Sequence, residues 1–186
     1  MRRWLLIAVV VAPLAGLVLL FALSLARTVS TNPGNFATYD SSGEATVLRS
    51  EPPEFTLNLF DGGGVRLADL RGQVVLLDFW GSWCGPCRAE APELQKVWTQ
   101  YRDKGVAFVG INVFDVDASA KAFLREFGIT YPSGPDPKGA IAVDYGLTGV
   151  PEKFLISRDG RILHKFVGPQ DAAALGTVLD QMLAMR

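Results

Sequence analysis

Val74-Val75-Leu76-Leu77-Asp78-Phe79-Trp80 runs through Gly81-Ser82 into Trp83-Cys84-Gly85-Pro86-Cys87, and this stretch decides the fold. The apolar run reads as a buried β-strand and the residues after Pro86 as an amphipathic helix, with the chain's two cysteines at the junction. A disulfide between cysteines three positions apart closes too small a loop to stabilise the chain much, because the entropic gain of a crosslink grows with loop length. Structural zinc calls for four Cys or His ligands, and the chain has two cysteines and one histidine, His164. The pattern that remains is a dithiol redox site, which needs no organic cofactor or metal. With the helix starting at the motif, Cys84 lies where unpaired N–H groups and the positive end of the helix dipole favour a thiolate, so it is the expected nucleophile. Pro86 suits the first turn because its missing N–H would have no partner there. Cys87, one turn further in, is placed to resolve a mixed disulfide formed at Cys84. Trp83 reads either as a flat substrate contact that shields the sulfur or as a packing residue.

Outward from this core the rest of the sheet takes shape. Phe55-Thr56-Leu57-Asn58-Leu59 alternates like a half-buried strand, and Val65-Arg66-Leu67 pairs back after Asp61-Gly62-Gly63-Gly64. The active-site helix is expected from about Pro86 to Tyr101, with Pro92 bending it. Val106 to Val113 is a central strand, and Ala118 to Phe127 a helix burying Phe123, Leu124 and Phe127. A Pro/Gly-rich loop at Tyr131 to Gly139 and a short helix near Ala140 to Tyr145 follow. Strands at Lys153 to Ser157 and Ile162 to Val167 meet at the turn Arg158-Asp159-Gly160, and Ala172 to Met185 closes as a helix. The expected fold is α/β, a central mixed sheet covered by helices on both faces.

Ahead of this domain, Trp4 to Ala26 carries no charged residue. As a helix it would be about 34 Å long, enough to cross a hydrocarbon core of roughly 30 Å. Ser24-Leu25-Ala26 would serve as a signal-peptide cleavage site, but the run is long for a signal peptide and an uncleaved transmembrane anchor is favoured. Arg2 and Arg3 then stay in the cytoplasm and everything after Arg27 lies on the outer side. The expected organisation is an anchor at 1–26, a flexible linker at 27–50 rich in Ser, Thr, Asn and Gly, and a domain at 51–186. With 18 basic and 19 acidic residues and a net charge of −1, nothing favours nucleic acid. Disulfides persist outside the cytoplasm, so a dithiol protein there implies a partner that supplies electrons.

From Phe55 to about Pro169 the chain resembles the thioredoxin superfamily, and more narrowly the membrane-anchored TlpA/ResA/CcmG (DsbE) group of thiol-disulfide oxidoreductases. The match is carried by the Phe55 to Gly72 hairpin region, the block Phe79-Trp80-Gly81-Ser82-Trp83-Cys84-Gly85-Pro86-Cys87-Arg88-Ala89-Glu90, the extra residues before Gly149, and Gly149-Val150-Pro151-Glu152-Lys153-Phe154-Leu155-Ile156. The resemblance implies a thioredoxin-like fold with an insertion before the proline strand. It implies that Pro151 is a cis proline facing the cysteines and that Val150 contacts substrate by pairing its backbone with an incoming peptide. Glu152 matches the acid of the CcmG branch, and Glu90 matches the glutamate of ResA-like proteins that handles protons near the cysteines. Asp78 departs from the Asn more usual in that group and matches the proton-accepting Asp of thioredoxin itself. As a bare residue, Asp78 interrupts an apolar strand and needs a raised pKa or a partner.

The implied function is reduction of protein disulfides on the outer side of the bacterial cytoplasmic membrane. Implied clients are apocytochrome c cysteines, and the implied electron source is a membrane dithiol donor of the DsbD/CcdA type. Three other functions remain open. A disulfide oxidase shares the motif, since direction depends on relative potentials. A thiol peroxidase shares the hairpin, although Gly81 stands where such enzymes have Thr. A copper-delivery protein would bind Cu(I) through the cysteines and His164.

Overall fold

A computed structural model describes residues 37–39, 44–47 and 51–185. The proposed anchor at 4–26 lies outside them, and among the described residues no helix is long and apolar enough to cross a membrane. In chain order the elements are β1 (Ala37–Tyr39), β2 (Glu44–Val47), β3 (Thr56–Asn58), β4 (Gly64–Arg66), β5 (Val74–Trp80), α1 (Gly85–Tyr101), β6 (Val106–Val113), α2 (Asp117–Glu126), β7 (Ser133–Asp136), α3 (Ala140–Asp144), β8 (Glu152–Ile156), β9 (Ile162–Val167) and α4 (Ala172–Ala184).

Seven strands form one mixed sheet in the order β1-β2-β9-β8-β5-β6-β7, and β3 and β4 make a separate hairpin. Strand β5 is the centre: it runs parallel to β6 and antiparallel to β8, and all seven of its residues are buried. Such a strand has no solvent face, which is why it reads as a continuous apolar run rather than an alternating one. Its side chains still alternate between layers. Val75, Leu77 and Phe79 join Phe154, Tyr145 and Leu57 in the core beneath α3 and the hairpin. Val74 and Leu76 pack with Leu94, Val97, Leu175 and Leu179 beneath α1 and α4. Each fully buried aliphatic or aromatic side chain of this kind contributes about 1.5–3 kcal/mol relative to exposure. Tyr101 ties α1 to α4, its hydroxyl donating to Asp180 at 2.9 Å and to the Gly176 carbonyl at 3.1 Å.

Two stretches differ from the sequence reading. The Tyr131 to Gly139 loop contains a strand, β7, paired in parallel to β6. Gly134 and Pro135 are poor strand formers, but at a sheet edge Pro135 needs to donate no hydrogen bond. The far edge of β7 is not left open, because the hairpin docks there with Phe60 N–H donating to the Ser133 carbonyl at 2.9 Å. The second difference lies within 27–50, read as a flexible linker. There β2 pairs antiparallel with β9, and β1 with β2. These three- and four-residue strands carry too little apolar alternation to be read from sequence, and an existing sheet edge offers them their hydrogen bonds.

Gly134 allows the hairpin its close approach, since a Cβ there would sit 2.0 Å from the Asn58 carbonyl oxygen. Gly134→Ala is therefore expected to destabilise the protein by about 1–3 kcal/mol, by the overpacking cost of a core without slack. Urea denaturation checks this, and a loss of a few tenths would mean that the hairpin does not bear on β7.

Candidate active site

Cys84 and Cys87 are joined by a disulfide and both are buried. Strand β5 ends at Trp80 and α1 begins at Gly85, so the cysteines sit where the central strand turns into the helix. Cys84 is the N-cap residue of α1, and its Sγ accepts the Cys87 N–H at 3.1 Å. An N-cap is where helix N–H groups lack backbone acceptors, so a Cys84 thiolate would be met by a donor already aimed at it. Gly81 keeps the turn compact, because a Cβ there would come 2.7 Å from the Trp83 ring. A Thr at this position, which a peroxidase site would need, has no room without moving that ring. Asp115 braces the turn from the β6–α2 connection by accepting Ser82 N–H at 2.6 Å, Ser82 Oγ–H at 2.9 Å and Asn112 Nδ2–H at 2.9 Å. Burial opposes its charge, but these bonds prevail and hold Asp115 below the ordinary carboxylate range.

The loop before β8 supplies the other wall. The Val150–Pro151 bond is cis, as the resemblance implies, and the Val150 carbonyl oxygen lies 3.5 Å from Cys84 Sγ. Trp83 is 59% exposed and lines an apolar groove of about 240 Å³ with Phe114, Leu147 and Val150. Trp83 is thus a surface residue next to Cys84 in the chain, not part of the core.

Glu152 does not reach this groove. It is fully buried, and its Oε1 accepts the N–H groups of Thr148 at 3.0 Å and Gly149 at 3.2 Å while Oε2 pairs with Lys165 Nζ at 2.9 Å. The substrate-binding role expected for Glu152 is corrected to a positioning one: it clamps the loop that presents Val150 and Pro151. Consecutive strand residues face opposite sides of a sheet, so Glu152 and Lys153 enter different layers.

On the α1 side, Asp78 and Glu90 come together around a residue that the sequence reading did not single out. Lys153 is the cross-strand partner of Asp78, and its Nζ donates to both carboxylate oxygens of Glu90. Asp78 Oδ2 accepts the Tyr131 hydroxyl at 3.0 Å, and Glu90 Oε2 accepts Gln170 N–H at 2.8 Å. Burial pushes the Asp78 carboxyl up from its ordinary value, against the pull of Lys153 and of the Tyr131 hydroxyl. Burial, and then the neighbouring Asp78, raise Glu90 to about 7 despite its bonds to Lys153 and Gln170. Two acids on facing elements, one of them titrating near neutrality, suit proton transfer at a dithiol. Lys153 was legible only as a charge in an otherwise apolar strand, and Tyr131 as part of a loop.

His164 lies away from the cysteines. It is opposite Leu155, which in turn is opposite Leu76, four residues before the end of β5, and its ring stacks on Phe166. The structure thus does not gather the three groups that copper delivery requires. Among the described residues no cluster of His, Cys, Asp and Glu fits a metal ion.

The AhpC/TSA family profile matches residues 48–165. The chain belongs to that family. It is 31% identical over 144 residues to the thiol-disulfide oxidoreductase ResA of Bacillus cereus, covering 77% of this chain and 83% of that one. It is 35% identical over 155 residues to the thiol:disulfide interchange protein HelX of Rhodobacter capsulatus, covering 82% of each. Among solved structures, a candidate thiol:disulfide interchange protein DsbE of Chlorobium tepidum superimposes with a TM-score of 0.68 at 34% identity, over 79% of this chain and all of that one. The fold is thioredoxin-like, and with the Cys84–Cys87 disulfide at its centre this family member is a thiol-disulfide oxidoreductase.

The raised carboxyls give stability a defined pH dependence. Glu90 titrates at about 7 in the folded protein and at its ordinary 4.5 when exposed, so between these values the folded state holds more protons than the unfolded one. The contribution is complete below the lower value and is lost as pH rises through the upper one, with Asp78 acting in the same sense. Glu90→Gln is expected to flatten the decline in stability from pH 4.5 to 7, measured by urea unfolding at intervals across that range. An unchanged slope would remove Glu90 as the titrating group.

Proposed function

We propose that the protein is a membrane-tethered reductase of protein disulfides on the outer face of the cytoplasmic membrane, with apocytochrome c cysteines as clients. The observation that carries the exchange mechanism is the position of Cys84 Sγ, which accepts a helix N–H and lies 3.5 Å from the Val150 carbonyl before the cis proline. A client strand pairing with the Val150 backbone is brought alongside the sulfur that must attack it. The Cys84 thiolate attacks one client sulfur, the client disulfide breaks, and the released thiolate takes up a proton. Cys87 then loses its proton to the Asp78/Glu90 pair and attacks Cys84, which frees the second client sulfur and closes the Cys84–Cys87 disulfide. Two electrons from a membrane dithiol donor of the DsbD/CcdA type restore the dithiol.

Anchoring is supported by Arg2-Arg3 followed by the uncharged run from Trp4 to Ala26. The client assignment is supported by likeness to proteins named ResA and HelX.

Cys87→Ser blocks resolution, so this variant expressed in its host is expected to accumulate mixed disulfides on Cys84. Mass spectrometry should find peptides with the C-x-x-C-H haem-attachment pattern in them. Adducts lacking that pattern would move the client elsewhere, and no adducts at all would defeat the exchange mechanism. The reduction potential of the pair tests direction. A value near or below about −250 mV, close to thioredoxin, is expected of a reductase, whereas one near −120 mV belongs to a disulfide donor.

A further inference from the structure

Lys153 is the buried group for which the exchange chemistry alone has no use. Its side chain is 0% exposed, yet its Nζ donates to both oxygens of Glu90 and, at 3.3 Å, to the Gly168 carbonyl. Across the sheet it stands opposite Asp78. A lysine is tolerated in such a place when paired with a carboxylate, but here two carboxyls share one cation. If both were ionised, the cluster would bury a net negative charge; one proton between them makes it neutral. Asp78 Oδ1 supports that reading, since it is buried and has no hydrogen-bond partner.

We propose that Lys153 is a positioning residue shared by the two acids of the site, which keeps one proton between Asp78 and Glu90 and leaves the pair able to accept a second from Cys87. The other groups at the cluster are the Tyr131 hydroxyl from the segment before β7, on Asp78, and from the loop before α4 the Gln170 N–H, on Glu90, and the Gly168 carbonyl, on Lys153; Cys87 precedes Glu90 by three residues on α1. Lys153 is the cation among them. Without it both acids would be protonated at neutral pH, and the Cys87 proton would have no acceptor. The direction of the Glu90 titration, raised by burial and Asp78 and lowered by Lys153, agrees with this arrangement. Two coupled acids titrate as a pair, so the cation sets the pH range in which the pair works.

The inference rests on Cys87 as the resolving thiol, and its test has one readout independent of exchange. In the full chain in detergent, Lys153→Met is expected to move the neutral carboxyl titration, followed by the 13C shifts of the Asp and Glu carboxyls, upward by about 1–3 units, the size of a lost neighbouring charge. With 5-thio-2-nitrobenzoate attached to Cys84 and Cys87 left to release it, the pH of half-maximal release should rise in parallel. Release at pH 7 should fall by about tenfold or more, and recover at higher pH, by the same charge effect. A folded Lys153→Met protein that titrates and releases as wild type overturns the proposal. Should that variant fail to fold, Asp78→Asn decides: it leaves the lysine to Glu90 alone, so Glu90 should titrate below its wild-type value, and an unmoved Glu90 overturns the proposal. Wild-type protein that releases no probe would defeat the exchange reading while leaving the carboxyl titration to be judged separately.

Discussion

A carboxylate in the middle of a wholly buried central strand must be neutralised, and much of this molecule is arranged around that requirement at Asp78. Strand β5 has no solvent face, so Asp78 finds no water and depends on what neighbouring elements bring. Strand β8 brings Lys153 opposite it, and the segment before β7 brings the Tyr131 hydroxyl. Helix α1 adds Glu90 to the same lysine. Lys153 and the Tyr131 hydroxyl thus favour the charged form of Asp78, whereas Glu90 competes with it for the same lysine, so the sheet neighbour, the segment before β7 and the active-site helix meet at one buried cluster.

A second buried pair does comparable work on the opposite face of the sheet. Glu152 and Lys165 meet at 2.9 Å, and the same carboxylate draws in the N–H groups of Thr148 and Gly149. A loop of that length would otherwise sample many conformations, and its two residues Val150 and Pro151 must stand beside a sulfur on another element. Holding it from beneath with a buried charge fixes the position of the Val150 carbonyl without occupying the groove that Trp83 and Val150 line. Breaking such a pair by removing one partner costs about 3–5 kcal/mol, because the other charge stays buried without its counter-charge. The two buried lysines on neighbouring strands β8 and β9 thus serve different clusters: Lys153 holds Glu90 beside Asp78, and Lys165 holds Glu152 under the loop.

Much of this was legible in the chain. The apolar run Val74 to Trp80, the cysteine pair behind it and the helix to Tyr101 are local patterns, set by burial on both faces of a strand and by the residues tolerated at a helix start, and they stand where expected. The run Val106 to Val113 is likewise a strand over the expected span. Residues of the β7 segment were not legible in the same way, because Ser133-Gly134-Pro135-Asp136 has no strand propensity of its own and becomes a strand only by lying along β6. Asp78 announced its need of a partner, but the partner's identity depended on the register of β8 against β5.

The sequence by itself determined that a dithiol sits at a helix start after a buried strand, since residue spacing and hydrophobic pattern are properties of neighbours along the chain. Only the tertiary structure decided which charges share the site, that Glu152 is buried against the loop rather than exposed at the groove, and that His164 stands apart from the cysteines. Those are relations between residues far apart in sequence, and they follow from strand order and register, which the packing of the whole sheet selects.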